Sequence, residues 1–292
     1  MPSLRDIRRK IRTVNNIKQI TQAMKMVAAA RLKKVQDRVT AGKPYAEKLQ
    51  ELMGYLAPHV TQIQHPLLEV RPIQATGVVV IAGDKGLCGS YNNNIIRRAQ
   101  QFLNGLTVSE KLLITIGRKS TEFFRKRGYR VHASFPQIGV DAPYAEIKRI
   151  ADAITGLYLS QTVDEVYIAY TEFVSSLQQR PQVIKFLPIE PPQTETTAGR
   201  GTPEGALEYI FEPPAPELLA TLLPRYVEQR IYHLLLESVA SEFGARMTAM
   251  TNATDNAGEL IKELTLAANK ARQASITKEL LEVVSGAEAL KG

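Results

Sequence analysis

Residues 225–285, RYVEQRIYHLLLESVASEFGARMTAMTNATDNAGELIKELTLAANKARQASITKELLEVVS, decide the fold. The stretch holds no proline and only two glycines, Gly244 and Gly258. Apolar or small residues recur at Leu236, Val239, Phe243, Met247, Met250, Thr254, Ala257, Ile261, Leu264, Ala268, Ala271 and Ser275. Their spacings alternate between three and four with a single stutter, the pattern of a coiled-coil seam. The spacing predicts one helix of about sixty residues in a zone running from about Pro216 to the end of the sequence, and at about 1.5 Å per residue it is a rod near 90 Å long. A compact domain of about 150 residues has a radius of gyration of only about 15 Å. The helix is therefore expected to leave its own domain and project into a partner.

A second helix is expected at the other end of the sequence. Leu4, Ile7, Ile11, Val14, Ile17, Ile20, Met24 and Val27 are spaced by three and four, marking one helical face. The run of threes departs from a strict heptad and predicts local overwinding of any supercoil. Ser3 is placed to cap the helix. Gly42 and Pro44 predict a break or kink, with a second helical piece to Ala57 and a stop at Pro58. Each long helix would leave a wet stripe alone, so they are natural partners. An antiparallel pair within one chain and a coiled coil between two copies both satisfy the pattern.

Between them the period changes. Residues 76–83, 111–117, 129–135, 164–174 and 182–189 read as strands, and 91–104, 118–127 and 143–160 as helices. Strands alternating with helices predict βαβ units and a mainly parallel sheet. The fold class is thus α/β, with an α/β domain over residues 75–190 between long helices at 1–58 and 217–292. Residues 191–216, rich in Pro, Gly and Thr, are expected to form a mobile loop, anchored around EYIFEP (208–213).

Charge is local. The 292 residues carry a net +8, yet residues 1–40 alone hold eleven Lys/Arg against Asp6 and Asp37. A basic helix could meet nucleic acid, a membrane surface or an acidic protein groove. No aromatic residue precedes Tyr45, so base stacking on single strands lacks platforms. No apolar run reaches the roughly 18 residues of a membrane span, and the charged N-terminus is unlike a secretory signal. A single cysteine, Cys88, excludes an internal disulfide and fits a reducing compartment.

Chemistry is scarce. There is no GxxxxGK[ST] phosphate loop, and GDKGLCG (83–89) has glycines at the wrong spacing for a dinucleotide fingerprint. A tight structural turn is the better reading. His59, His65, His132 and His233 are scattered without a second ligand at metal spacing, and Cys88 has no histidine near it in sequence to act as base. No cofactor and no catalytic residue are expected. Met24, Met26, Val27 and Ala28–Ala30 instead form a smooth surface with cations along it, suited to re-packing against several partners.

Three blocks, ITQAMKMVAAARL (20–32), GDKGLCGSYN (83–92) and SEFGARMTAMTNATDN…NKARQASITKELLEVVSGAEAL (241–290), resemble the signature blocks of the γ subunit of F-type ATP synthases. The similarity runs from Leu4 to Leu290. It implies an antiparallel coiled coil of the two terminal helices, standing in a ring of α and β subunits. The Rossmann-like domain would form a foot with the ε subunit on the membrane c-ring, one copy per complex, peripheral on the cytoplasmic face of the cell membrane. Catalysis would belong to the α/β ring, and this chain would transmit torque. By motif, Arg272 and Gln273 match a pair that hydrogen-bonds a β-subunit loop, and Met24, with Lys25 beside it, a position near an acidic β-subunit segment. Arg246 matches a position tied to coupling, while Tyr209 and Glu212 fall where the foot meets the membrane ring. Gly83 stands where that family usually has Ser or Thr, and Ser90 where a second Gly is common.

Overall fold

Strand β1 (Ala75–Ile81) is buried at every position, which requires cover on both faces of its sheet. The computed structural model, which describes residues 3–60, 65–136, 138–139, 141–189, 212 and 214–289, supplies that cover. The chain divides into two compact units, one of Met1–Ala29 with Arg246–Gly292 and one of Ala30–Ala245. Both long helices cross the division: α1 is Leu4–Val60 and α5 is Ala215–Ala289.

In the Ala30–Ala245 unit, β1, β2 (Glu110–Ile116), β3 (Val131–Phe135), β4 (Glu165–Phe173) and β5 (Gln179–Leu187) form one sheet of order β3-β2-β1-β4-β5. The first four are parallel, and β5 returns antiparallel to β4. Helices α2 (Tyr91–Gly105), α3 (Arg118–Lys126) and α4 (Tyr144–Leu159) are the crossovers. Alternation along β1 feeds two cores. Val78 and Val80 meet Ile95, Ala99 and Leu103 of α2 and Phe124 of α3. Val79 and Ile81 face Ile150 and Ile154 of α4, Met53 and Leu56 of α1, and Leu219, Leu223, Val227 and Ile231 of α5. The terminal helices therefore complete the three-layer α/β unit as well as forming the other unit.

Several expectations needed correction. Helix α1 runs through Gly42 and Pro44 and past Pro58 without a break, 57 residues in all. Helix α5 is 75 residues, not about sixty, and passes Pro224. A proline inside a helix removes one backbone hydrogen bond and costs about 3 kcal/mol. Burial outweighs that locally: Leu49, Met53 and Leu56 follow Pro44, and Leu219, Leu223 and Val227 flank Pro224, all at 4% exposure or less. β5 begins at Gln179, three residues earlier than the sequence suggests, and admits Pro181 because it is the edge strand. Ser3 caps α1 as expected: its Oγ accepts the Asp6 amide at 3.2 Å and donates to the Asp6 carboxylate at 2.7 Å. The loop 191–211, EYIFE except Glu212, and Tyr209 lie outside the described residues.

In the Met1–Ala29 with Arg246–Gly292 unit the helices run antiparallel. The Thr21 and Thr254 hydroxyls are 2.8 Å apart, and a Cβ on Gly258 would lie 3.6 Å from Lys18 Nζ. Of the seam read from α5, Ala257 is buried and Thr254, Ile261, Leu264, Ala268 and Ala271 are half-buried, while Ser275 is fully outside it. On α1 the seam differs from the apolar reading. Leu4, Ile7, Ile11, Val14, Lys18, Thr21, Lys25 and Ala28 are shielded in a strict alternation of three and four, with Asp6, Met24 and Ala29 half-buried beside them. Ile17, Ile20 and Val27 are 47%, 58% and 55% exposed. The helix keeps its geometric phase and puts Lys18, Thr21 and Lys25 in the seam, so the apparent three-residue insertion is an apolar stripe on another face.

Candidate partner-binding surfaces

In a doubly wound sheet, ligands enter outside the carboxyl ends of the strands where strand order reverses, here between β1 and β4. Helix α5 fills that place. Tyr91 donates its hydroxyl to the Ser238 carbonyl at 3.0 Å, Ser241 Oγ donates to the Thr171 carbonyl at 3.0 Å, and the Thr171 amide donates to Ser238 Oγ at 3.4 Å. Ser238 and Ser241 are 1% and 0% exposed, small enough to let the helix onto the strand ends. A Cβ on Gly83 would stand 2.9 Å from the Glu242 carboxyl carbon, so the glycine makes room for that side chain.

The GDKGLCG turn is likewise consumed by its own chain. Gly83 N–H donates to Asn92 Oδ1 and Arg118 N–H, at the start of α3, to Asp84 Oδ1, both at 2.8 Å. Asp84 thus puts a carboxylate where a helix N-terminus would otherwise attract a phosphate. Cys88 is 1% exposed, and its Sγ accepts from Asn92 Nδ2 at 3.2 Å. Leu87 holds the turn at φ 62° with its side chain 65% exposed. His65 Nδ1 accepts the Leu67 amide, and His233 pairs with Glu237. No group of three metal-ligating side chains occurs among the described residues, and none of the described helices is long and apolar enough to cross a membrane.

The sequence-derived contact residues separate into two groups. Met24 and Lys25 are half-buried on α1, and Arg246 is 9% exposed on α5. The Thr21–Thr254 register places Met24 and Lys25 opposite residues 250–251, one turn from Arg246. Arg272 and Gln273 are exposed on α5, 26 residues or about 39 Å along the helix from Arg246. Glu212 is exposed, and Tyr209 is outside the described residues. Arg246 is nearly enclosed and offers a partner little direct surface. The basic run is also partly engaged: Lys34 and Arg38 both pair with Asp141, at 2.7 and 2.8 Å, and Arg9 pairs with Asp6.

Two apolar surfaces go beyond the sequence reading, which gave only Val27 among their residues to a partner-facing surface. One is the exposed stripe Ile17, Ile20, Val27; reading α1 as a strict heptad from Leu4 would have found it. The other is the C-terminal part of α5, where every described side chain from Arg272 to Ala287 is exposed. Ile276, Leu280, Leu281, Val283 and Val284 there are 49% to 69% exposed. The register extrapolates to Leu4 opposite Ala271, so α1 gives this segment no partner.

A two-helix unit with uncovered apolar faces, joined in sequence to an α/β unit whose switch-point crevice is filled by its own helix, has the make-up of a scaffold that offers surfaces to partners. The family model described as ATP synthase matches residues 3–290. A gamma chain of ATP synthase from Desulfitobacterium hafniense is 49% identical, and one from Pelotomaculum thermopropionicum 46%, each over the full length of both chains. The chain therefore belongs to the ATP synthase gamma family, non-catalytic subunits of that complex. Solved structures with the same fold include the rotor of the Euglena gracilis mitochondrial ATP synthase, at TM-score 0.61 and 18% identity, covering 94% of this chain and 98% of that one. The central stalk and c-ring structure from Tetrahymena thermophila gives TM-score 0.59 and 24% identity over 80% and 99%.

Proposed function

We propose that the chain is the central rotor shaft of an F-type ATP synthase, carrying torque between the membrane c-ring and the catalytic β subunits. The observation that carries this reading is the C-terminal part of α5. A segment of sixteen residues with five large apolar side chains exposed is unfavourable in water, at about 25 cal/mol per Å² of apolar surface. It is suited to a sleeve formed by an α/β ring. The heptad-shifted stripe Ile17–Ile20–Val27 would face the ring lower on the shaft. There Met24 and Lys25 would meet acidic β-subunit loops, and exposed ion pairs of this kind contribute little each, as a bearing requires. Arg272 and Gln273 would hydrogen-bond a β-subunit loop, the guanidinium supplying directional donors that lysine lacks. Arg246, being buried, would act by fixing the seam beside Met24. Tyr209 and Glu212 would contact the c-ring, with the α/β unit as the foot shared with ε. The complex would sit peripherally on the cytoplasmic face of the cell membrane.

Co-expression with α and β subunits tests the reading. A complex with one copy of this chain per three β is expected. A reversible crosslink between Arg272→Cys and the β loop should stop turnover until reduced. A stable homodimer that never joins such a ring would refute the assignment.

A further inference from the structure

On the Ala30–Ala245 unit, α1, α4 and α5 leave a cavity of about 410 Å³ that the stalk reading does not use. Three tyrosines line it, Tyr45 from α1, Tyr144 from α4 and Tyr232 from α5, over an apolar floor at Ile147. Tyr45 is 53% and Tyr144 66% exposed, unusual for aromatic rings in a concave site with room to bury them. Arg225 and Glu228 stand on the α5 wall. The two charges differ in availability. The Glu228 carboxylate accepts a hydrogen bond from the Tyr144 hydroxyl. Arg225 has no hydrogen bond or ion pair with any described residue, and its guanidinium acts on Tyr144 only through its field.

The volume lies in the range of small-molecule sites, which are apolar and aromatic with a few placed polar groups. Tyrosine faces provide stacking surface and the phenol rims provide donors. A guanidinium with its donors unspent favours a planar carboxylate, sulfonate or phosphate. We infer that the groove between α1, α4 and α5 is a binding site for a small aromatic anion, its ring stacked against Tyr45 and Tyr144 and its charge held by Arg225. Arg225 disfavours a cation, and Glu228 opposes the anion mildly even while hydrogen-bonded.

The probe is 8-anilinonaphthalene-1-sulfonate, titrated into the full chain by fluorescence. Because the chain has no tryptophan, the dye can also be excited by transfer from tyrosine without competing indole emission. One equivalent should bind in a component that Arg225→Gln and Tyr45→Ala each weaken at least tenfold. Glu228→Gln should tighten that component several-fold, a gain no merely structural loss would produce. The same ring system without the sulfonate should bind at least tenfold more weakly. Thermal melts of the three variants, matching the parent, would separate binding from folding. Binding that ignores Arg225→Gln and Tyr45→Ala would overturn the assignment. So would loss of the site when the chain is assembled with its partner subunits, since a protein would then be the occupant. Neither result bears on the stalk reading, which rests on the opposite end of α5.

Discussion

Gly117 shows how one residue fixes the floor of the α/β unit. It turns from β2 into α3 at φ 91°, and a Cβ there would lie 1.9 Å from the Ala82 carbonyl oxygen. Gly117→Ala combines a left-handed backbone with a backbone clash, so a loss of about 3 kcal/mol or more is expected, read as a fall in the urea midpoint. His233 makes a pH-dependent contribution. Its hydrogen bond to Glu237, 3.1 Å away, raises the imidazole above its usual 6.5 against the opposing effect of burial. Since the folded value exceeds the unfolded one, the stabilisation is full below pH 6.5 and fades as pH rises through the folded value. His233→Gln should therefore lower the urea midpoint at pH 5.5 and leave it unchanged at pH 9. The effect should be small, about 0.2–0.5 kcal/mol, as for exposed i,i+4 pairs.

The helices show that the phase of a stripe is decided by its partner. Apolar content alone would rotate α1 toward Ile17 and Ile20. The antiparallel partner instead holds Lys18, Thr21 and Ala28 in the seam, where Ala28 at 1% exposure allows close approach. Oxidation of Thr21→Cys with Thr254→Cys should close a disulfide, because the two side-chain hydroxyls already meet at 2.8 Å across the seam and a disulfide needs side chains that point at one another. Ile20→Cys with Thr254→Cys should not, as judged by mobility on a non-reducing gel. Ile17→Asn should change the stability of the isolated chain by no more than about 0.5 kcal/mol. Ile7→Asn, at a position 5% exposed, should cost about 2 kcal/mol or more by burying an unpaired amide.

Across the whole molecule, the long helices serve two units at once. Residues 215–245 of α5 close the α/β core and fill its ligand crevice, and residues 246–289 pair with α1 and then run uncovered. Removing residues 273–292 should leave the thermal midpoint of the isolated chain within about 1 °C, since no described side chain up to Ala287 is buried. The same truncation should lower the rate of coupled ATP hydrolysis in the assembled complex, because it removes the segment that the sleeve would hold.

Much of this was legible in the sequence. Period and composition gave each strand and crossover helix to within a few residues, because buried parallel strands are apolar throughout and amphipathic helices carry their phase locally. The α5 seam from Thr254 to Ala271 was legible for the same reason. Tyr209 and the loop around it were also read from sequence, but lie outside the described residues. What only the tertiary structure decided was which stripe of α1 is inside, whether Pro44 and Pro224 end their helices, and that Arg246 is buried. Each depends on what packs against the segment, and burial of neighbours can outweigh a proline or select a less apolar face. The filling of the switch-point crevice by Ser238 and Ser241 is of the same kind. Those serines are nearly 70 residues from Thr171 in the chain, and no local pattern links them.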